Sequence, residues 1–385
     1  MYTSFFRKAM LGDTATLNLD FTTGVLDSRL TFTRAANTAT YINSSGYVTT
    51  ATANTPRFDY DPVTLAPRGL LIEGSAVNLA TNSTFSSGWS GGVNVTVSAN
   101  TLDVLDPAGT NTATKCTLTN STYASKFESF SGLAASTTYT WSYWIRGTAG
   151  NQQRIYSATT GTDLVTQSAY TYSTSGWTRV TTTFTTTAVV TQAYVYPISK
   201  NTGTGDVIYI WGAQLELGSG ASSYIPTGAS QVTRNADNCE LLDLTTMAFN
   251  ASAGTIYTDV GVRLNTGSTR NYTFLPASGS NNQIFEGSGT AFNVYSSGSF
   301  VVQIGTSNVS SQKIAAAYAL NDYAVSVAGG AASTDTSGAV PTSLTKLTIG
   351  GSVINSASYM NGCIRVFKYY PTRLTNAQLQ ALTAP

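Results

Sequence analysis

Residues 138–147 read TYTWSYWIRG, and this stretch decides the fold. Tyr139, Trp141, Tyr143 and Ile145 recur at every second position, so an extended chain carries four large apolar side chains on one face. A helix would need them three and four residues apart. The run therefore reads as a core β-strand. Comparable runs flank it at Val93 to Val97, Trp177 to Thr186, Gln192 to Ile198 and Val207 to Leu217. The turn-forming pieces SSGW, STSGW and NTGTGD lie between them. Short alternating strands at this spacing predict an antiparallel sandwich over 82–218.

Beyond it, residues 219–245 are rich in Gly, Ser and Ala around Tyr224, Ile225 and Pro226, and read as a connector. A second β-sandwich is expected over 246–385. There TIYTDVGVRL puts Ile256, Thr258, Val260, Val262 and Leu264 on one side, and alternation returns at Tyr323–Val327, Leu347–Ile349 and Ile364–Tyr370. The last element, LTNAQLQALT, is the one clear helix. Thr375 can cap it with Gln378 reciprocating, and Leu374 and Leu379 fall where a hydrophobic staple joins them. Residues 1–81 hold only short apolar pieces, then NTPRFDYDPVTLAPRGLLIE with three prolines, and so predict an irregular β region.

Composition agrees with an all-β fold across the 385 residues. Thr, Ser, Gly, Ala, Asn and Tyr dominate, whereas Glu, Lys and Leu are sparse. Charged residues are 10% of the chain and balance to a net +1. With no run of Lys or Arg, nucleic acid is excluded as a partner. The chain contains no His, which removes Ser-His-Asp and Cys-His catalysis and His-ligated metals. Cys116, Cys239 and Cys363 lie more than 100 residues apart and read as free buried thiols. Arg7 and Lys8 follow rather than precede the first apolar residues, so the start is not read as a secretory signal. No apolar run is long enough for membrane insertion.

Residues 30–73, LTFTRAANTATYINSSGYVTTATANTPRFDYDPVTLAPRGLLIE, closely resemble a segment recurring in tailed-bacteriophage virion proteins, especially fibre, spike and adhesin-like proteins. The middle region, opening with NLATNSTFSSGW and closing with IYIWGAQLELGSGASSYIPT, looks like the carbohydrate-binding jelly-roll modules that follow that segment. The end of the chain is similar to concanavalin-like or laminin-G-like sandwiches. What the resemblance implies is a virion tail fibre, tail spike or head fibre subunit: an N-terminal virion-attachment and oligomerisation region over 1–81, a jelly roll, and a lectin-like C-terminal sandwich. Its expected partners are further copies of itself as a homotrimer, other virion proteins and a host surface glycan.

Sugar binding calls for exposed aromatic faces beside amides and carboxylates. Trp141, Trp144, Trp177 and Trp211 fall in strand patterns and read as core. Trp89, in the glycine-flanked SSGWSGG, is the first candidate ligand contact, followed by Tyr156, Tyr170 and Tyr172. Asp206 and Glu216 are the acids the sequence offers for a structural calcium; no other cofactor is expected. Tyr2, Phe5, Phe6, Met10 and Leu11 crowd the start of the chain and read as an arm docked into the virion. Asp59 and Asp61 read as turn and cap residues rather than a glycosidase pair, and the protein is expected not to be an enzyme. The alternative reading is a purely structural capsid decoration or fibre base; a polysaccharide-degrading enzyme comes third.

Overall fold

The computed structural model describes residues 14–36, 38–89, 91–120, 122–200, 203–263, 271–277, 282–307, 312–351 and 359–385. The proposed docking arm, Tyr2, Phe5, Phe6, Met10 and Leu11, lies outside the described residues. Within them the protein is all-β, with antiparallel pairing and one α-helix, Asn376–Thr383.

The middle region folds as a jelly-roll-like sandwich of two five-stranded sheets. One sheet runs in the order Thr178–Thr185, Thr138–Gly147, Val207–Leu217, Thr114–Leu118, Val95–Ser98. The other runs Thr162–Ala169, Gln152–Ser157, Gln192–Lys200, Ala124–Ser131, Gly91–Val93. Tyr139, Trp141, Tyr143 and Ile145 all point into the core between them, beside Ile155, Val195 and Ile210. The opposite face of the same strand is also covered. Trp144 packs edge-on against Trp211 and Tyr224, with centroids 5.3 Å and 5.6 Å away, and Val48 from the N-terminal region closes that second cluster. The neighbouring Gly212 has φ +71°, and a Cβ there would sit 2.5 Å from the Trp144 ring. Only glycine permits that approach.

The C-terminal sandwich has an eight-stranded sheet facing a seven-stranded one, and here the structure corrects the expected division of the chain. The described residues of 1–81 are not a separate irregular region. Leu17–Asp20 pairs with the last strand, Gly362–Tyr370, and Pro67–Ile72 continues that strand's flank and carries Arg57–Tyr60 at its outer side. Thr31–Thr33 joins Asn238–Leu241 in the facing sheet. Leu17, Leu19, Phe21, Phe32, Leu70 and Ile72 share one core with Ile256, Phe292 and Ile364. The prolines allow this because Pro67 opens its strand and Pro56 and Pro62 fall outside strands, where no ladder N–H is missing.

The jelly roll is therefore an insertion between Ala76–Asn78 and Val232–Arg234, which pair as a two-stranded ribbon where the chain leaves and returns. The expected connector over 219–245 is corrected as well. Ala221 to Ile225 is buried against the jelly roll, Val232–Arg234 and Asn238–Leu241 are strands, and Leu244–Met247 is a 3-10 turn. A Gly/Ser/Ala composition mimics a linker, but small side chains also let a segment lie flat against a neighbouring sheet.

The helix forms as expected. Thr375 accepts from the Gln378 amide at 3.3 Å, the Gln378 side chain accepts from the Thr375 amide at 2.8 Å, and Leu374 and Leu379 are buried beside Tyr257 and Tyr370.

Since each buried Leu, Ile or Phe contributes about 1.5–3 kcal/mol, a fragment of residues 246–385 alone is expected not to fold, lacking the strands at 17–72 and 238–241. Its amide spectrum should show the narrow dispersion of an unfolded chain, and well-dispersed native-like signals would contradict the shared core. Limited proteolysis of the whole chain should likewise spare residues 221–225.

Candidate functional site

The outward face of the second jelly-roll sheet collects aromatic and polar side chains that the core does not use. In Gln152–Ser157, Ile155 points inward with no exposure, so Arg154 and Tyr156 point outward. In Gln192–Lys200, Ala193 and Val195 are core and Tyr194 and Tyr196 face out. Register then aligns them. Tyr156 lies opposite Asp163 on one side and Tyr194 on the other, and Tyr194 lies opposite Ser129, giving one row across four strands. A register shift between Lys126 and Glu128 sets Phe127 against Tyr196 and Pro197.

The rings of Tyr156 and Tyr194 are nearly parallel, 4° apart with centroids 6.2 Å apart. Phe127 leans on Tyr194 at 5.3 Å and Tyr196 at 5.2 Å. The Arg154 guanidinium carbon lies 5.0 Å from the ring centroids of both Tyr156 and Tyr196, and its Nε donates to Asp163 at 2.8 Å. Partial burial disfavours the Arg154 charge, yet Asp163 outweighs that and holds its pKa above the ordinary value. The ends of the face are polar. Gln167 Nε2 donates to Gln152 Oε1 at 2.7 Å and to Ser199 Oγ at 2.8 Å, and Gln192 Nε2 donates to Ser129 Oγ at 2.7 Å. A half-buried ring row with a guanidinium, a carboxylate and amides around it can hold a flat ligand with one apolar face and a hydroxyl rim.

Of the four residues singled out in the sequence, only Tyr156 belongs to this face. Trp89 is corrected as an exposed ring: it lies off this face and is buried, tilted 58° against Phe85 with centroids 4.4 Å apart and near Trp141 at 5.7 Å, with Nε1 donating to the Thr81 carbonyl. Tyr170 and Tyr172 are corrected too. The Tyr170 hydroxyl bonds Tyr143 at 2.6 Å and receives from Asn151 at 2.8 Å, and the buried Tyr172 donates to the Thr148 carbonyl, so both serve packing. Tyr194, Tyr196, Phe127, Arg154 and Asp163 were missed. The available signal was the QAYVYPI alternation, which leaves two tyrosines on the face opposite Ala193 and Val195.

The two acids offered for calcium do not meet. They stand at opposite ends of one extended segment, roughly 30 Å apart at a strand's rise per residue. Asp206 pairs with Lys200 at 2.8 Å, while Glu216 is buried and accepts from Gln214, the Ser222 amide and the Ser222 hydroxyl. No cluster of three or more His, Cys, Asp or Glu residues stands close enough for a metal among the described residues. Nor, among them, is any helix long and apolar enough to cross a membrane.

No protein-family model matches the chain, and no curated protein matches it. Among solved structures it is similar to the C-terminal CBM6 of a marine laminarinase from Zobellia galactanivorans, with 14% identity and a TM-score of 0.24 over 37% of this chain and 98% of that one. It is similar also to the tandem CBM22-1–CBM22-2 domain of Xyn10C from Paenibacillus barcinonensis, with 10% identity and a TM-score of 0.29 over 79% of this chain and 98% of that one. A third similarity is to domains LG4-5 of the mouse laminin alpha1 chain, with 10% identity and a TM-score of 0.24 over 67% and 92%.

Proposed function

We propose that the protein is a non-catalytic carbohydrate-contacting subunit of a bacteriophage virion, a tail fibre, tail spike or head fibre. The observation that carries the carbohydrate reading is the row Asp163–Tyr156–Tyr194–Ser129, with Arg154 set over the rings of Tyr156 and the neighbouring Tyr196. The Tyr156 and Tyr194 rings meet the C–H face of a pyranose. Arg154, Asp163, Gln152 and Gln192 bond its hydroxyls. Asp163 is held by Arg154 and works as a hydrogen-bond acceptor rather than as half of an acid–base pair.

The particle assignment is supported by the resemblance of residues 30–73 to phage fibre and spike proteins. In this reading the chain assembles as a homotrimer with Tyr2, Phe5, Phe6, Met10 and Leu11 docked on other virion proteins. A shallow face binds weakly, so attachment to host glycans comes from many copies acting together.

A glycan array probed with the protein displayed multivalently tests this. Tyr156→Ala and Tyr194→Ala should each lower saccharide binding by about tenfold, the equivalent of about 1.4 kcal/mol, with thermal stability little changed. If the multivalent wild type binds no saccharide, the purely structural reading replaces this one. If it depolymerises a host polysaccharide in solution, the protein is an enzyme.

A further inference from the structure

A cavity at the edge of the jelly roll takes no part in the ring row. The chain passes from one sheet to the other between Gly91–Val93 and Val95–Ser98, turning at Asn94. Asn94 has φ 56°, and its side-chain amide is fixed by the Tyr123 carbonyl at 2.8 Å. The crossing leaves a cavity of about 270 Å³ bounded by Phe85, Trp89, Gly92, Val95, Val97 and Lys126. That is the room of roughly nine water molecules, enough for one sugar ring and too little for a chain of them.

Register explains the space. Gly92 stands directly opposite Lys126, so no side chain fills the cross-strand position beside the lysine. Lys126 is only 4% exposed, and its Nζ donates to the Trp89 carbonyl. Among the described residues it has no carboxylate within ion-pair distance. An ammonium carries three N–H donors, and burying its charge without an anion is costly. Burial lowers its pKa, with Cys116 and Glu128 acting in the opposite direction. A cavity with a buried, unneutralised cation on one wall and the rings of Phe85 and Trp89 on another suits a small ligand with a carboxylate and an apolar face.

We propose that this cavity binds a single carboxylated sugar residue, a uronic acid, with its carboxylate on Lys126 Nζ and its C–H face against Phe85, Trp89 and Val95. This site does not depend on the outward ring row and takes a different chemical class of sugar from a neutral hydroxyl-rimmed face.

The test uses the full chain with the Trp89 indole N–H followed by NMR, titrated in parallel with methyl β-D-glucuronide and its neutral analogue methyl β-D-glucoside. The glucuronide should shift the indole signal and bind at least tenfold more tightly than the glucoside. Lys126→Met should lower glucuronide affinity at least tenfold. Val97 sits on the rim at 42% exposure, so Val97→Trp fills the mouth without disturbing the core and should abolish binding even if the lysine variant fails to fold. In Tyr156→Ala and Tyr194→Ala the Trp89 indole signal should still shift with glucuronide at the same concentrations as in the wild type, a readout local to the cavity that separates this site from the ring row. Equal affinity for the two glycosides, undiminished binding in Val97→Trp, or no glucuronide binding by the wild type would overturn the proposal.

Discussion

Asp237→Asn is expected to destabilise the C-terminal sandwich by about 3–5 kcal/mol, the usual cost of removing one member of a buried ion pair. The Asp237 carboxylate has no exposure. Its Oδ1 accepts from Arg34 Nη1 at 2.9 Å, and its Oδ2 accepts from Arg57 Nη2 and from the Glu73 amide at 2.9 Å. Glu73 is the second buried anion, 2.7 Å from Arg57 Nη1 and 3.3 Å from Arg234 Nη1. Burial alone would raise its pKa, but the guanidiniums of Arg234 and Arg57, with hydrogen bonds from Ser223, hold it at about 2. Three guanidiniums thus share two carboxylates at the point where the N-terminal strands, the ribbon into the jelly roll and the strand Asn238–Leu241 converge. Asparagine keeps the volume and removes the charge, so Arg34 and Arg57 lose their common counter-ion in a site that water does not reach. Denaturant unfolding monitored on the C-terminal core should show the midpoint fall accordingly. A loss below about 1 kcal/mol would place this network among the ion pairs that contribute little.

That network also shows where sequence reading stops. Thr138–Gly147 was legible because its signal is local: four large residues at period two have one extended arrangement. The capped helix was legible for the same reason. Membership of the strands Leu17–Asp20, Thr31–Thr33, Arg57–Tyr60 and Pro67–Ile72 in the C-terminal sandwich was not, because Leu17 pairs with Tyr369 from the far end of the chain and a four-residue strand carries no long-range mark. Arg34, Arg57 and Arg234 looked like scattered charges because convergence is a property of topology. Trp89 was misread from its glycines. Gly88, at φ +78°, instead sharpens the turn that leads into the buried indole. Tyr194 and Tyr196 could be placed on one face but not oriented, since alternation alone does not say whether the tyrosine face or the face of Ala193 and Val195 meets solvent.

Glu286→Gln should change how stability depends on pH more than it changes stability at any one pH. Glu286 is fully buried inside the C-terminal sandwich, where Thr258 and Thr273 donate their hydroxyls to Oε2. Burial pushes its pKa up to about 8 despite those two hydrogen bonds. In the unfolded chain it returns to about 4.3. The folded state therefore holds a proton that the unfolded state releases, so this group is neutral toward stability below the unfolded value. As pH rises from there to about 8 it increasingly favours unfolding, and above 8 the penalty is constant. At about 1.4 kcal/mol per pKa unit the full swing is at most about 5 kcal/mol. Glutamine cannot ionise, so the variant should lack this component. Near pH 5 it should be equal to or weaker than wild type, because one amide N–H2 replaces a carboxyl that is already neutral. Near pH 8.5 it should have gained several kcal/mol relative to wild type. Denaturant unfolding of both proteins at the two pH values checks this as a difference of differences, in which every other titrating group cancels. Parallel curves for the two proteins would mean that Glu286 titrates alike folded and unfolded, and that its burial is relieved by groups other than Thr258 and Thr273.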